Sequence, residues 1–144
     1  GDVFRQAAVK ALDTLSRNPN GFFLMIEGSN IDKAAHSNNL EEMMEELLDF
    51  DRTAGAVLDW ASKHPGTLVV ITADHNTGAF ALTGGSREQG EITGRFGSGS
   101  HDGVDVPVYA LGAGRGDFTG IYENTDIFNK IMNAFKKGAD KPVR

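Results

Sequence analysis

Apolar residues recur along this chain in two spacings, one typical of helices and one typical of buried strands. Steps of three and four residues favour amphipathic helices, which we predict over about residues 2–15, 40–63 and 125–137. A shorter helix is predicted over about 31–37, because Ser29 or Asn30 can cap its first turn. In the helix over 40–63, methionine and leucine recur on one side, which indicates a face packed against the core.

Continuous apolar runs predict buried strands at residues 22–26, 67–71 and 106–111. A strand that is apolar at every position is typical of a parallel sheet covered by helices on both faces. The order strand, helix, strand over 22–71 predicts a right-handed crossover between parallel neighbours. Pro107 restricts the last strand to a sheet edge or a strand start. We therefore expect an α/β fold with a parallel-rich sheet flanked by helices.

Residues 84–100 are rich in glycine, serine and charged side chains, and they follow a short predicted strand at 79–82. From this composition we interpret 84–100 as a long surface loop inserted in the fold. Loops of this length without secondary structure are usually functional or mobile. No internal repeat or linker divides the chain, so residues 1–144 are predicted to belong to one domain.

Composition narrows the classes of function. The chain has 144 residues, with 14 basic against 20 acidic side chains and a formal net charge of -6. Nucleic-acid binding depends on phosphate neutralisation by lysine and arginine, so this balance argues against a dedicated nucleic-acid partner. The apolar runs are too short to span a bilayer, which argues against a membrane partner. With no cysteine, a metal would have to be held by oxygen and imidazole nitrogen.

Acidic and imidazole side chains follow the predicted strands. Ligands in α/β proteins bind beyond the carboxyl ends of strands, which is where Glu27, Asp32, Asp74 and His75 lie. Asp32 and His36 are four residues apart on a predicted helix, so their side chains share one face and can hold one metal ion. The alternative for Asp32 and His36 is a solvated pair on an exposed helix.

The other candidates also leave alternatives open. Asp74 either binds metal with His75 across a backbone turn or caps that turn while His75 faces solvent. Glu27 is either a magnesium ligand or the partner of a lysine such as Lys33. His101, after the glycine-rich segment, is either a ligand carried by a folded loop or an ordinary loop histidine. A fourth histidine, His64, is interpreted as a cation at a helix C-terminus with no catalytic role.

A second glycine-rich segment, residues 112–116, follows the last predicted strand. Its spacing matches neither the dinucleotide-binding nor the P-loop pattern, so we interpret it as a turn rather than a phosphate-binding loop.

Taken in order, three motifs resemble the C-terminal half of an alkaline phosphatase, over about residues 21–135: Glu27-Gly28-Ser29-Asn30-Ile31-Asp32 with His36, then Thr72-Ala73-Asp74-His75-Asn76-Thr77-Gly78, then His101 before the last strand. The resemblance implies phosphomonoester hydrolysis at a site with two Zn²⁺ and one Mg²⁺. By resemblance, Asp32, His36 and His101 hold the first zinc, Asp74 and His75 contribute to the second, and Glu27 contributes to magnesium. It also implies a homodimeric parent enzyme and a periplasmic or secreted location.

The sequence departs from the family pattern in what it lacks. The family's serine nucleophile follows an aspartate, and no Asp-Ser pair occurs in this sequence. We therefore expect a C-terminal fragment that carries metal ligands and no nucleophile, is inactive alone and is prone to self-association through uncovered apolar surface. The alternatives are another two-metal phosphoesterase or sulfatase-like relative, and a non-catalytic metal-binding domain.

Overall fold

The structure is a computed structural model that describes residues 2–139. Four helices are present: α1 (Asp2–Leu15), α2 (Ser29–His36), α3 (Leu40–Ser62) and α4 (Asp126–Ala139). Six strands accompany them: β1 (Leu68–Ile71), β2 (Asn76–Thr77), β3 (Ala81–Ser86), β4 (Glu91–Arg95), β5 (His101–Asp102) and β6 (Tyr109–Gly112). A short 3₁₀ helix covers Arg115–Phe118.

The described chain divides into two compact units. The first comprises the residues up to Thr53 together with His75–Val106, and the second comprises Ala54–Asp74 together with the residues from Pro107 onwards. Five of the six predicted site residues fall in the first unit: Glu27, Asp32, His36, His75 and His101. Asp74 is the exception, because it is the last residue of the second unit's first segment.

The core of the first unit forms around α2. Ala34 and Ala35 are buried with Met43 of α3, and the small alanine side chains let other apolar groups approach the helix closely. Four partly buried apolar residues pack against this cluster: Ile31, Leu40, Phe80 and Phe96. The packing fixes α2, which carries two of the predicted metal ligands.

In the second unit, β1 pairs with β6 in an antiparallel register that runs from Leu68 opposite Gly112 to Ile71 opposite Tyr109. Trp60 is buried at the end of α3, and its ring stacks on His64 with centroids 3.7 Å apart and an interplanar angle of 8°. His64 Nδ1 donates to the Trp60 carbonyl at 2.7 Å. His64 therefore lies at the C-terminal end of α3, the position that the sequence predicted for it.

The four predicted helices are all present, with bounds that differ by at most two residues. The predicted capping of α2 by Ser29 or Asn30 is wrong, because Gly28 occupies the N-cap and no side chain bonds there. Along α3, Met43 is buried, whereas Leu47 and Leu48 are 42% and 51% exposed. The apolar stripe thus predicted the helix correctly and its burial only in part.

The predicted parallel-rich sheet is not found in the part of the chain that the structure describes. All three ladders are two-stranded and antiparallel. Residues 22–26 carry no strand, and half-buried and exposed side chains alternate along them. An apolar run indicates surface that is available for burial, but it specifies neither the partner strand nor its direction.

The predicted loop at 84–100 is also wrong in part, because β3 and β4 form a hairpin that occupies much of it. The ladder runs from Ala81 opposite Arg95 to Ser86 opposite Glu91, with an irregularity between Leu82 and Gly84. Nearly every residue of the hairpin is exposed. Without a buried face, the sequence lacks the alternation of apolar and polar residues by which strands are recognised.

No helix among residues 2–139 combines the length and apolar character needed to cross a membrane.

Candidate metal centre

Helix α2 presents Asp32 and His36 at the surface of the first unit. Its buried face is made by Ala34 and Ala35, so the half-buried Asp32 and the exposed His36 lie on another side. They are one turn apart, and His36 Nε2 lies 3.5 Å from Asp32 Oδ2. The predicted sharing of one helix face is therefore present.

His101 reaches the same place from a segment far away in the sequence. Strand β5 pairs with β2, with His101 opposite Thr77 and Asp102 opposite Asn76. His101 Nε2 lies 3.4 Å from Asp32 Oδ1 and 3.0 Å from His36 Nε2. Three predicted ligands thus turn their donor atoms toward one another.

The hydrogen bonds of His36 fix which of its nitrogens carries the proton. Its Nδ1 lies 2.7 Å from the Gly99 carbonyl oxygen, which can only accept, so Nδ1 donates. In the neutral ring, Nε2 then bears a lone pair directed at His101 Nε2. Two imidazole nitrogens at 3.0 Å need a proton or a cation between their lone pairs.

The spacing of these donors fits a tetrahedral metal ion. For zinc bound at about 2.0–2.1 Å, two ligand atoms of a tetrahedron lie about 3.3 Å apart. His36 Nε2 and His101 Nε2 are 3.0 Å apart. Each lies near a different oxygen of Asp32, His101 Nε2 at 3.4 Å from Oδ1 and His36 Nε2 at 3.5 Å from Oδ2, and one ligand atom from each of the three residues lies within 4.8 Å of the others. Two imidazoles and one carboxylate leave a fourth position open, which is the usual donor set of a catalytic zinc site.

The carboxylate of Asp32 is held in its ionised form. The Thr77 hydroxyl donates to Asp32 Oδ1 at 2.7 Å, and this bond is the main cause that lowers the pKa of Asp32 below its usual value. Partial burial opposes the shift, whereas the nearby His36, His101 and His75 add to it. A carboxylate that stays ionised at neutral pH is a ready metal ligand.

His75 lies against the three-residue group. Its ring stacks on His101 with centroids 3.6 Å apart, and its Nδ1 lies 3.2 Å from Thr77 Oγ1. Because the Thr77 proton goes to Asp32, Thr77 accepts from His75 Nδ1–H, which leaves a lone pair on His75 Nε2. The hydroxyl of Thr77 therefore links two predicted ligands of different metals.

Glu27 and Asp74 are exposed in the structure. Glu27 lies in the segment without regular secondary structure that precedes α2, and Asp74 lies at a bend after β1. Among residues 2–139, the group of acidic and imidazole side chains whose ligand atoms come within 4.8 Å of one another consists of Asp32, His36 and His101. The metal roles of Glu27, Asp74 and His75 remain predictions.

Sequence reasoning missed the residues that support the ligands. The sequence pattern assigns no supporting role to Thr77, Asn76 or Asp102. His75 precedes Thr77 by two residues but lies at a bend before β2, so the alternation of strand faces does not identify Thr77. The bond from His36 to the Gly99 carbonyl could not be predicted from the sequence, since every residue type has the same backbone acceptor.

The chain is similar to known alkaline phosphatases in sequence and structure. The alkaline phosphatase family model matches residues 3–95, a range that includes every predicted ligand except His101. Alkaline phosphatase 4 of Bacillus subtilis is 29% identical over 93% of this chain and 44% of its own length, and the alkaline phosphatase of Escherichia coli is 32% identical over 90% and 31%.

The solved structure of the alkaline phosphatase from the Antarctic bacterium TAB5 superposes with a TM-score of 0.87 at 39% identity, covering 94% of this chain and 41% of that one. A mutant of the TAB5 enzyme holds Mg in a site called M3. The chain thus spans less than half the length of these relatives. With a family match over more than half of its residues, the chain belongs to the alkaline phosphatase family.

Proposed function

We propose that this chain is the metal-binding part of a phosphomonoesterase that works with two Zn²⁺ and one Mg²⁺. The observation that carries the proposal is the convergence of Asp32, His36 and His101 donors within 3.0–3.5 Å, in a member of the alkaline phosphatase family. A phosphate monoester is the substrate class that this family membership supports.

The residues divide among the three metal positions. Asp32, His36 and His101 hold the first zinc, whose donor set fits their geometry. Asp74 and His75 contribute to the second zinc, which is consistent with the lone pair that Thr77 leaves on His75 Nε2. Glu27 contributes to magnesium, because hard divalent ions prefer carboxylate oxygen.

When bound, the metal ions supply Lewis-acid activation and charge stabilisation for phosphoryl transfer. The chain's own residues hold the donors in place: α2 fixes Asp32 and His36 against its alanine core, and β5 fixes His101. Thr77 keeps Asp32 ionised and orients His75. The attacking serine and the phosphate-binding arginine come from the part of the family fold that these residues do not include, so residues 1–144 alone are expected to give no enzymatic turnover.

Location and assembly follow the family in this proposal. We propose a periplasmic or secreted enzyme that functions as a homodimer, which fractionation of cells and sedimentation of the full-length protein would test.

The first test is metal binding by the purified protein. Zinc titration of the wild type should saturate the site, and His101→Ala should weaken the affinity roughly 100-fold or more, because even partners one step removed from the metal contribute 10–100-fold. His64→Ala is the matched control and should bind like the wild type, since its ring packs on Trp60. Equal affinity of all three proteins would refute the site.

The second measurement is hydrolysis of an aryl phosphate by the full-length enzyme. Asp74→Ala and Glu27→Ala should each reduce kcat/KM far more than His64→Ala does. Equal losses for the three variants would mean that the division between metal site and scaffold is wrong.

A further inference from the structure

Asp102 follows His101 directly in β5, and successive strand residues point to opposite faces. The His101 side chain is therefore directed to the metal group, whereas the half-buried Asp102 side chain is directed the other way, into the segment that carries β2. Asp102 is not itself one of the converging ligands.

Three nitrogen atoms donate four hydrogen bonds to this one carboxylate. The Asn76 amide donates to both oxygens, at 3.1 Å to Oδ1 and 2.9 Å to Oδ2. The backbone N–H of Ala79 donates to Oδ2 at 3.0 Å, and that of Val104 donates to Oδ1 at 3.1 Å. Each oxygen thus accepts two bonds, which is the full capacity of a carboxylate.

The donors come from both sides of the candidate site. Asn76 and Ala79 flank Thr77, which bonds to Asp32, and Val104 lies three residues beyond His101. Ala79 has a φ of 43°, a left-handed conformation that is unfavourable for alanine. A charge-assisted bond to its N–H stabilises that conformation. Asp102 therefore connects the turn that carries Thr77 to the strand that carries His101.

From this geometry we infer that Asp102 is a positioning residue of the metal centre, which sets the placement of His101 by fixing β5 against β2. The inference rests on the proposed metal function. An uncharged residue of the same shape cannot reproduce the arrangement, since an asparagine offers one acceptor oxygen in place of two.

Cobalt titration of the purified protein tests this inference, because the visible bands of Co²⁺ report the geometry of its ligands as well as its affinity. Asp102→Asn should weaken Co²⁺ binding by about 10–100-fold and alter the cobalt spectrum. Asp105→Asn removes the same charge from an exposed position in the same segment and should change neither. The double variant Asn76→Asp with Asp102→Asn reverses the bond between the two side chains, so that the amide at 102 donates to the carboxylate at 76. It should recover part of the affinity for Co²⁺.

Wild-type affinity and an unchanged cobalt spectrum in Asp102→Asn would overturn the inference. If that variant does not fold, Asn76→Ser removes two of the four bonds and should show a smaller loss in the same direction; unchanged binding there would also overturn it. Failure of the proposed function looks different: the wild type would bind no cobalt, or His101→Ala would bind it equally well, and either result would remove both proposals.

Discussion

Two segments of the first unit were predicted to bring metal ligands to the site, and they are built differently. Residues 21–28, which include Glu27, form no strand, and Phe23 and Met25 are 62% and 67% exposed. Residues 75–102, which end near His101, are far less apolar but are joined by backbone bonds: Gly78 N–H donates to Ser100, and the Gly78 carbonyl accepts from Gly97 and Ser98.

The difference shows what fixes a ligand in this fold. The apolar segment 21–28 has the clearer sequence pattern, yet in the described chain it pairs with no other strand. The polar segment is held by hydrogen bonds between its two ends and by side chains such as Thr77 and Asp102. A metal ligand needs a placement accurate to a fraction of an ångström, and directional hydrogen bonds supply this better than non-directional apolar contact.

Matched glycine substitutions in the two segments should give the largest contrast. A Cβ at Gly78 would lie 2.8 Å from the Phe96 ring and 3.1 Å from the Ala35 carbonyl, at a φ of 80°. A Cβ at Gly28 would also lie 2.8 Å from a phenylalanine ring, that of Phe50, but at an ordinary φ of -94°.

We expect Gly78→Ala to lower the free energy of unfolding by about 2–4 kcal/mol, from the left-handed backbone and the overpacking together. Gly28→Ala should cost about 1 kcal/mol, because a ring can move where a backbone carbonyl cannot. Urea unfolding followed by far-ultraviolet circular dichroism measures both. Similar losses would show that the segment around Gly78 is no more constrained than the one before α2.

A smaller effect should come from the hydroxyl of Thr77. Thr77→Val keeps the shape of the side chain but removes the bond to Asp32 and the acceptor for His75. We expect zinc affinity to fall about tenfold, at the lower end for a partner of a metal ligand. Thr77→Ser retains the hydroxyl and should remain close to the wild type in the same titration. A valine variant with undiminished affinity would mean that the hydroxyl does not orient the ligands.

The smallest expected effect is on the pH dependence of the free energy of unfolding in acid. The pKa of Asp32 is lowered from 3.8, chiefly by the Thr77 bond, so the folded carboxylate binds its proton more weakly than the unfolded one does. The resulting stabilisation is fully present above the unfolded pKa and is lost as the pH falls through the lower folded pKa.

Thr77→Val should therefore make the loss of stability below about pH 4 shallower than in the wild type. Urea unfolding of metal-free protein at a series of pH values measures this slope. A steeper acid dependence in the valine variant would contradict the assigned cause.

The sequence predicted α1 and α3 because their periods span many residues and because proline and glycine follow each of them closely. It also predicted the convergence of Asp32 with His36, since four residues on a helix fix that geometry. The direction of strand pairing was not predictable, because β1 finds its partner β6 nearly forty residues away through backbone atoms that every residue shares. The roles of Thr77 and Asp102 depend on contacts between segments 23 to 45 residues apart, which no local pattern encodes.

The stacked Trp60–His64 pair has a consequence for spectroscopy. The chain contains one tryptophan and two tyrosines, and these three residues, Trp60, Tyr109 and Tyr122, all belong to the second unit. Ultraviolet-excited fluorescence therefore reports on the second unit alone, and unfolding of that unit separates the indole from the imidazole that it contacts. The unit that contains Asp32, His36 and His101 has neither tryptophan nor tyrosine, so a tryptophan placed there by substitution would give it a fluorescence signal of its own.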